Sequence, residues 1–312
     1  MPDIRVGERC WSVATGSNLL DALNEAGLAV PYSCRAGSCH ACMVRCLDGQ
    51  PQDARPEALD PVKRQQGGRL SCQCRVESDV QVALFDPLQD GIGASVAGVD
   101  WLSQTVLRLR LEPERLLRYQ AGQHLVLWSE GGVARPYSLA SLPGEDRFLE
   151  FHLDCRQPGA FCAAARQLRV GDTLRLGELR GGALHYDADW QERPLWLLAA
   201  GTGLAPLWGI LREALRQDHH GPIRLLHLAH DDGEHYLAEA LAMLVERHPH
   251  LQVERLTPQT LPQSLAALRL QARQTITLAC GSAASVEQFS RRMFLAGLPR
   301  NQLFADTFVG HA

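Results

Sequence analysis

The run CRAGSCHAC, with Cys34, Cys39 and Cys42, and the single Cys72 of RLSCQC far downstream constrain this chain more than any other feature. Four residues separate the first two cysteines and two separate the next pair. A loop closing around an inorganic cluster needs small residues, so that its backbone N–H groups can turn inward toward sulfur. Ala36, Gly37, Ser38 and Ala41 meet that need. Four thiolates in this spacing suit a two-iron, two-sulfur cluster. Structural zinc also takes four cysteines, but usually as two short pairs, which the distant Cys72 disfavours. A Rieske-type centre needs two histidine ligands, and His40 beside Cys39 is one. The expected ligands are therefore Cys34, Cys39, Cys42 and Cys72, and the expected role is electron transfer.

A chain of 312 residues holds more than one such domain. Hydrophobic residues at 46% and charged residues at 21% are ordinary for a globular protein, and a net charge of −4 offers no basic footprint for nucleic acid. MPDIRVGERCW shows no basic segment followed by an apolar one, and ten cysteines without a secretory signal suit a reducing compartment, so a cytoplasmic location is expected. The uncharged stretch 194–211, PLWLLAAGTGLAPLWGIL, approaches a membrane span in length. Pro194, Pro206 and the Gly201-Thr202-Gly203 turn divide it instead into a strand, a loop and a helix start, so no membrane partner is expected.

Three domains are expected, at 1–88, 94–190 and 191–312. The first break lies at FDPLQDGIG, where Pro87, Gly91 and Gly93 interrupt two strand-like patterns. VLRLRL, HLVLW, FLEFHL and DTLRL then follow as short strands separated by turns, the texture of a small antiparallel barrel. Beyond Arg193, apolar runs such as LWLLAA, IRLLHLA and ITLAC alternate with helical stretches, as in a parallel sheet with crossover helices.

PYSCRAGSCHAC, GGRLSCQCRV and SDVQV resemble a plant-type ferredoxin domain over roughly residues 1 to 85, which implies an α+β, β-grasp fold. In the barrel, Arg135-Pro136-Tyr137-Ser138 offers a guanidinium for phosphate, a ring to pack on isoalloxazine and a hydroxyl for the flavin edge. The same word also suits a plain strand. With YQAGQHLVL upstream, it resembles the flavin barrel of the ferredoxin–NADP reductase superfamily. Gly159-Ala160-Phe161-Cys162 matches that family's diphosphate turn, with Cys162 where Ser or Thr is common. GELRGGALHY is expected to close the barrel.

Gly201-Thr202-Gly203-Leu204-Ala205-Pro206 follows a buried strand, and glycines there let backbone approach a pyrophosphate at a helix start. GTGLAP resembles the same superfamily's nicotinamide domain. That resemblance implies that Cys280-Gly281-Ser282 lies beside the nicotinamide and that Phe308 in FADTF covers the flavin, although a buried cysteine and a core aromatic are the plain alternatives. Cys280, Ser138 and Phe308 are thus the residues expected to shape hydride transfer. Asp231, with Asp232 and Glu234, follows the strand RLLHLAH; carboxylates there would accept from a free ribose hydroxyl and repel a 2′-phosphate, which favours NADH. Cys10, Cys46, Cys74 and Cys155 lack ligand spacing and are expected to be packing residues.

In domain order the chain resembles reductase components of bacterial aromatic-ring dioxygenases and diiron monooxygenases, and equally CDP-6-deoxyglucoseen reductases. The resemblance implies NADH as donor, FAD, a 2Fe-2S cluster and a partner protein as acceptor. A carrier or redox-sensing module without turnover is the alternative from another class, and a deoxysugar pathway is the alternative within the enzyme class.

Overall fold

The computed structural model describes residues 1–308 apart from Ser33, Ser38, Gly182 and Gln271. The expected small residue Ser38 and part of GELRGGALHY therefore lie outside the described residues, as does the end of the 191–312 span.

The first domain is a five-stranded mixed sheet in the order Arg9–Ser12, Asp3–Val6, Val80–Ala83, Met43–Asp48, Gly68–Leu70. Asp3–Val6 runs parallel to Val80–Ala83 and the other pairings are antiparallel. The helix Leu19–Glu25 crosses this sheet. Asn18 caps it by accepting from the Asp21 N–H, and Leu19, Leu20 and Leu23 bury against Ile4, Val44 and Val82. The cysteine loop fills the gap between that helix and the Met43–Asp48 strand.

The second domain is a six-stranded antiparallel sheet in the order Ala134–Ser138, His124–Trp128, Thr173–Leu176, Ile92–Trp101, Val106–Pro113, Leu149–Asp154. The N–H of Ala140, just past the first of these, donates to Glu150 O in the last at 2.8 Å, which closes the sheet into a barrel. Alternation in VLRLRL sends Leu107, Leu109 and Leu111 inward, where they meet Leu125, Leu127 and Phe151.

The third domain is a parallel sheet in the order Leu251–Leu256, Ile223–Leu228, Leu195–Ala200, Ile276–Ser282, Leu303–Phe308. Every residue of Leu195–Ala200 is buried, as a strand covered on both faces must be. Chain order reverses between Leu195–Ala200 and Ile276–Ser282, and such a switch point opens a crevice at the strand C-termini. The apolar stretch that starts at Pro194 becomes this strand, a turn at Gly201–Gly203 and the amphipathic helix Leu204–Arg216. Among the described residues no helix is long and apolar enough to cross a membrane.

Both domain junctions are specific. Cys34, Cys39 and Ala41 pack against Val126, Trp128 and Ala134 of the barrel, with Phe85 stacked on Trp128 at 6.0 Å. On the other side, Arg212 of the third domain grips both carboxylate oxygens of Asp146 at 2.6 and 2.8 Å.

Candidate functional site: a cysteine loop and a two-domain cleft

Positive φ values at Arg35, Gly37 and His40 fold the cysteine loop inward. The N–H groups of Ala36 and Cys39 donate to Cys34 Sγ at 3.3 Å, and that of Cys34 donates to Cys39 Sγ at 3.4 Å. The thiols fall into two interacting pairs, Cys34 with Cys39 and Cys42 with Cys72. Two thiols per iron is the donor set of a two-iron cluster. Among the described residues no larger group of His, Cys, Asp or Glu gathers as a single-ion site. Gln73 Nε2 donates to Cys72 Sγ at 3.3 Å, and Asn18 Nδ2 to the Cys72 carbonyl at 2.9 Å, so the distant fourth cysteine is held as firmly as the first three. Cys34, Cys39 and Cys42 are buried, whereas Cys72 is partly exposed.

The second site is a cleft of about 540 Å³ between barrel and parallel sheet, within the usual range for small-molecule sites. One wall is Arg135, Pro136, Tyr137 and Ser138; the next is the turn Gly159, Ala160, Phe161 and Cys162. The third domain contributes Gly201 and Thr202 from the turn before its helix, Ala205 from the helix's first turn, then Ser282 and Phe308 from two strand ends. Ser282 and Phe308 are register partners, which sets the aromatic ring beside the switch point. Tyr137 packs on Phe161 with ring centroids 5.1 Å apart, and burial pushes its phenol well above the ordinary range.

Several expected residues lie behind the wall. Leu204, Pro206 and Cys280 are buried, and Asp231 does not line the cleft. A side chain at Gly203 would put its Cβ 2.1 Å from the Cys280 carbonyl, and one at Gly281 would meet Ala200 at 2.7 Å. These two glycines allow the helix start and the strand end to touch, which shapes the cleft floor. Burial raises the Cys280 thiol well above its usual value, so it is a neutral packing group under that floor. Phe304 points the other way, against Trp190 at 5.3 Å.

The acidic stretch also makes contacts within the protein. Glu234 accepts from Ser103 Oγ at 2.6 Å and also from Thr105, so it ties the third domain to the barrel. Asp231 caps its own turn by accepting from the Gly233 N–H at 2.9 Å. Cys10 departs from the packing expectation, being exposed.

Sequence reasoning missed His152 and Arg156, which line the cleft together with His230 at the start of the acidic stretch. Arg156 pairs with Asp154 at 2.7 Å and sits over the Gly201 turn. His152 leaves a buried Nδ1 without a hydrogen-bond partner among the described residues. Cys155 and Cys162 also meet: their interaction brings the Cys162 thiol down to about 7 and pushes Cys155 up, while Cys162 Sγ donates to Asp154 O at 3.2 Å. A cleft with aromatic walls, two arginines and an orphaned buried donor–acceptor fits an aromatic, anionic dinucleotide.

Comparison with known proteins accounts for all three units. Residues 5–77 match the 2Fe-2S iron-sulfur cluster binding domain, 101–184 the oxidoreductase FAD-binding domain and 197–290 the oxidoreductase NAD-binding domain. Reductase component 1 of terephthalate 1,2-dioxygenase from Comamonas is 32% identical over 73% of this chain and 70% of that protein. A ferredoxin–NAD(P)(+) reductase component of naphthalene dioxygenase and salicylate hydroxylase systems from Ralstonia is 29% identical over 94% of each chain. The crystal structure of an Amycolatopsis cytochrome P450 reductase covers 99% of both chains, with a TM-score of 0.66 and 25% identity.

Proposed function

Because this chain belongs to the ferredoxin–NAD(P) reductase superfamily, in the branch with an N-terminal 2Fe-2S domain, we propose that it is the NADH-dependent reductase component of an oxygenase system. It is an NAD(P)H oxidoreductase with FAD and a 2Fe-2S cluster. In our reading Cys34 and Cys39 hold one iron and Cys42 and Cys72 the other. Arg135, Tyr137, Ser138 and the Gly159–Cys162 turn hold FAD. Gly201–Pro206, Cys280–Ser282 and Phe308 form the nicotinamide side, with Asp231 toward the adenosine ribose. The protein works in the cytoplasm, where thiols stay reduced.

The observation that carries this reading is that one strand serves both sites. Ala134 packs against Cys34 and Cys39, while Arg135 to Ser138 line the cleft. A bound flavin supplies hydride acceptance and single-electron release, chemistry that side chains lack. The chain's own residues orient and exclude water. Tyr137, backed by Phe161, would give a flat wall for the flavin, and Phe308 would shield it from the third-domain side. The neutral, buried Cys280 fixes the floor through its carbonyl contact with the helix start and takes no nucleophilic part. Partly exposed Cys72 faces the side from which a protein acceptor can approach.

Purified protein should release FAD on denaturation, identified by chromatography; FMN alone would contradict the cofactor assignment. Its kcat/KM should favour NADH over NADPH by about tenfold, the effect of one unpaired phosphate charge near Asp231. Equal use of both nucleotides would refute that preference. Mixing with an oxygenase component should yield NADH-dependent reduction of that component, and no transfer to any oxygenase component would contradict the partner assignment.

A further inference from the structure

His124 opens the barrel strand His124–Trp128 and is buried. Its backbone is fixed on both sides. On one it pairs in register with Ser138, and on the other its N–H and C=O bond Arg180 at 3.1 and 2.8 Å. Its side chain leaves the barrel and crosses the domain junction: Nε2 lies 2.6 Å from the carbonyl oxygen of Cys39. A carbonyl oxygen only accepts, so Nε2 carries the proton and donates. Nδ1 is buried and has no hydrogen-bond partner among the described residues. The same junction carries an apolar seam in which Val126, Trp128, Ala134 and Phe85 pack against Cys34, Cys39 and Ala41.

We propose that His124 is the positioning residue that holds the cysteine loop at the flavin-binding barrel and gives electrons a bonded path from the Ser138 strand to Cys39. The proposal rests on the reading of Cys39 as a cluster ligand and Ser138 as a flavin contact. Electron transfer through protein weakens steeply with separation and with gaps in bonding. A donated proton fixing the Cys39 carbonyl addresses both. His124 itself does not line the cleft, so flavin reduction by NADH does not depend on its side chain.

The test is anaerobic rapid mixing of holoprotein with NADH, following flavin and cluster absorbance separately in unmodified protein, H124F and H124Q. In H124F, flavin reduction should keep its rate, while cluster reduction slows by about tenfold, the kinetic equivalent of one lost hydrogen bond. H124Q retains an N–H donor and should recover most of the rate. Iron content and the paramagnetic signal after dithionite should match the unmodified protein in both variants. Equal cluster reduction rates in H124F and unmodified protein would overturn the proposal. A protein whose dithionite-reduced form lacks the paramagnetic signal would instead overturn the reading of the four cysteines. Should H124F fail to accumulate, ¹⁵N-histidine labelling of the unmodified holoprotein decides the matter. An Nε2–H tautomer for His124, broadened by the reduced cluster, supports the proposal, and an Nδ1–H tautomer or an unbroadened resonance refutes it.

Discussion

The cysteine loop and the cleft solve the same problem, holding a redox group, in opposite ways. Three of the four expected cluster ligands come from one short run, and the loop's own N–H groups turn on its sulfurs at 3.3–3.4 Å. The cleft is built from two domains and from strand ends far apart in the chain, with no single segment able to form it. A local site depends on covalent spacing and gives way at single residues. A distributed site depends on packing and gives way gradually.

The largest expected effect breaks the local site outright. Cys42→Ala should abolish the cluster's absorbance and paramagnetic signal, and with them transfer to a protein acceptor. NADH-driven reduction of ferricyanide, which draws on the flavin directly, should persist. Loss of both activities would show that the two sites are not separable.

Effects in the cleft should be graded. Removing the Arg135 guanidinium by Arg135→Ala should weaken flavin binding by ~2 kcal/mol, the scale of one charge-assisted contact, measured by flavin titration of the apoprotein. Unchanged affinity would take Arg135 out of the site. Gly203→Ala forces a Cβ toward the Cys280 carbonyl and should cost about 1–3 kcal/mol of stability. It should also raise KM for NADH while leaving cluster content intact, and a variant with normal stability and KM would contradict the close approach.

A further effect is a pH dependence in the third domain. Burial lowers His227 to about 3 and His219 to about 4, against an ordinary value of 6.5. The unfolded chain therefore takes up these protons first. The contribution is complete above 6.5 and is lost as pH falls toward 4 and then 3. Each histidine accounts for up to about 1.4 kcal/mol per pH unit in that window. Calorimetry from pH 7 to 5 should show the nicotinamide domain melting progressively earlier, with the slope reduced in His227→Gln. A flat profile would mean that both imidazoles reach water.

Legibility followed the same contrast. The cluster loop could be read because its ligands lie in one run, and the strands VLRLRL, HLVLW and ITLAC because alternation or continuous apolarity reports burial locally. RPYS, GTG and the aromatic of FADTF were visible as words, and the fold brings them to one cleft. Arg156 and His152 were not visible, because only the pairing of the Leu149–Asp154 strand places them there. The contacts of Glu234 were hidden for the same reason: its charge was legible, but its partners Ser103 and Thr105 lie in another domain. His124 reads as an ordinary strand residue until the first domain is packed against it.

The central claim is that electrons entering as hydride at the cleft leave singly through the cysteine loop. Anaerobic titration of the as-purified protein with NADH, with absorbance and electron paramagnetic resonance recorded together, tests it most directly. The account predicts bleaching of flavin and cluster bands and a reduced two-iron signal from NADH alone. A cluster that dithionite reduces but NADH leaves oxidised, in protein whose flavin is fully reduced by NADH, would contradict it.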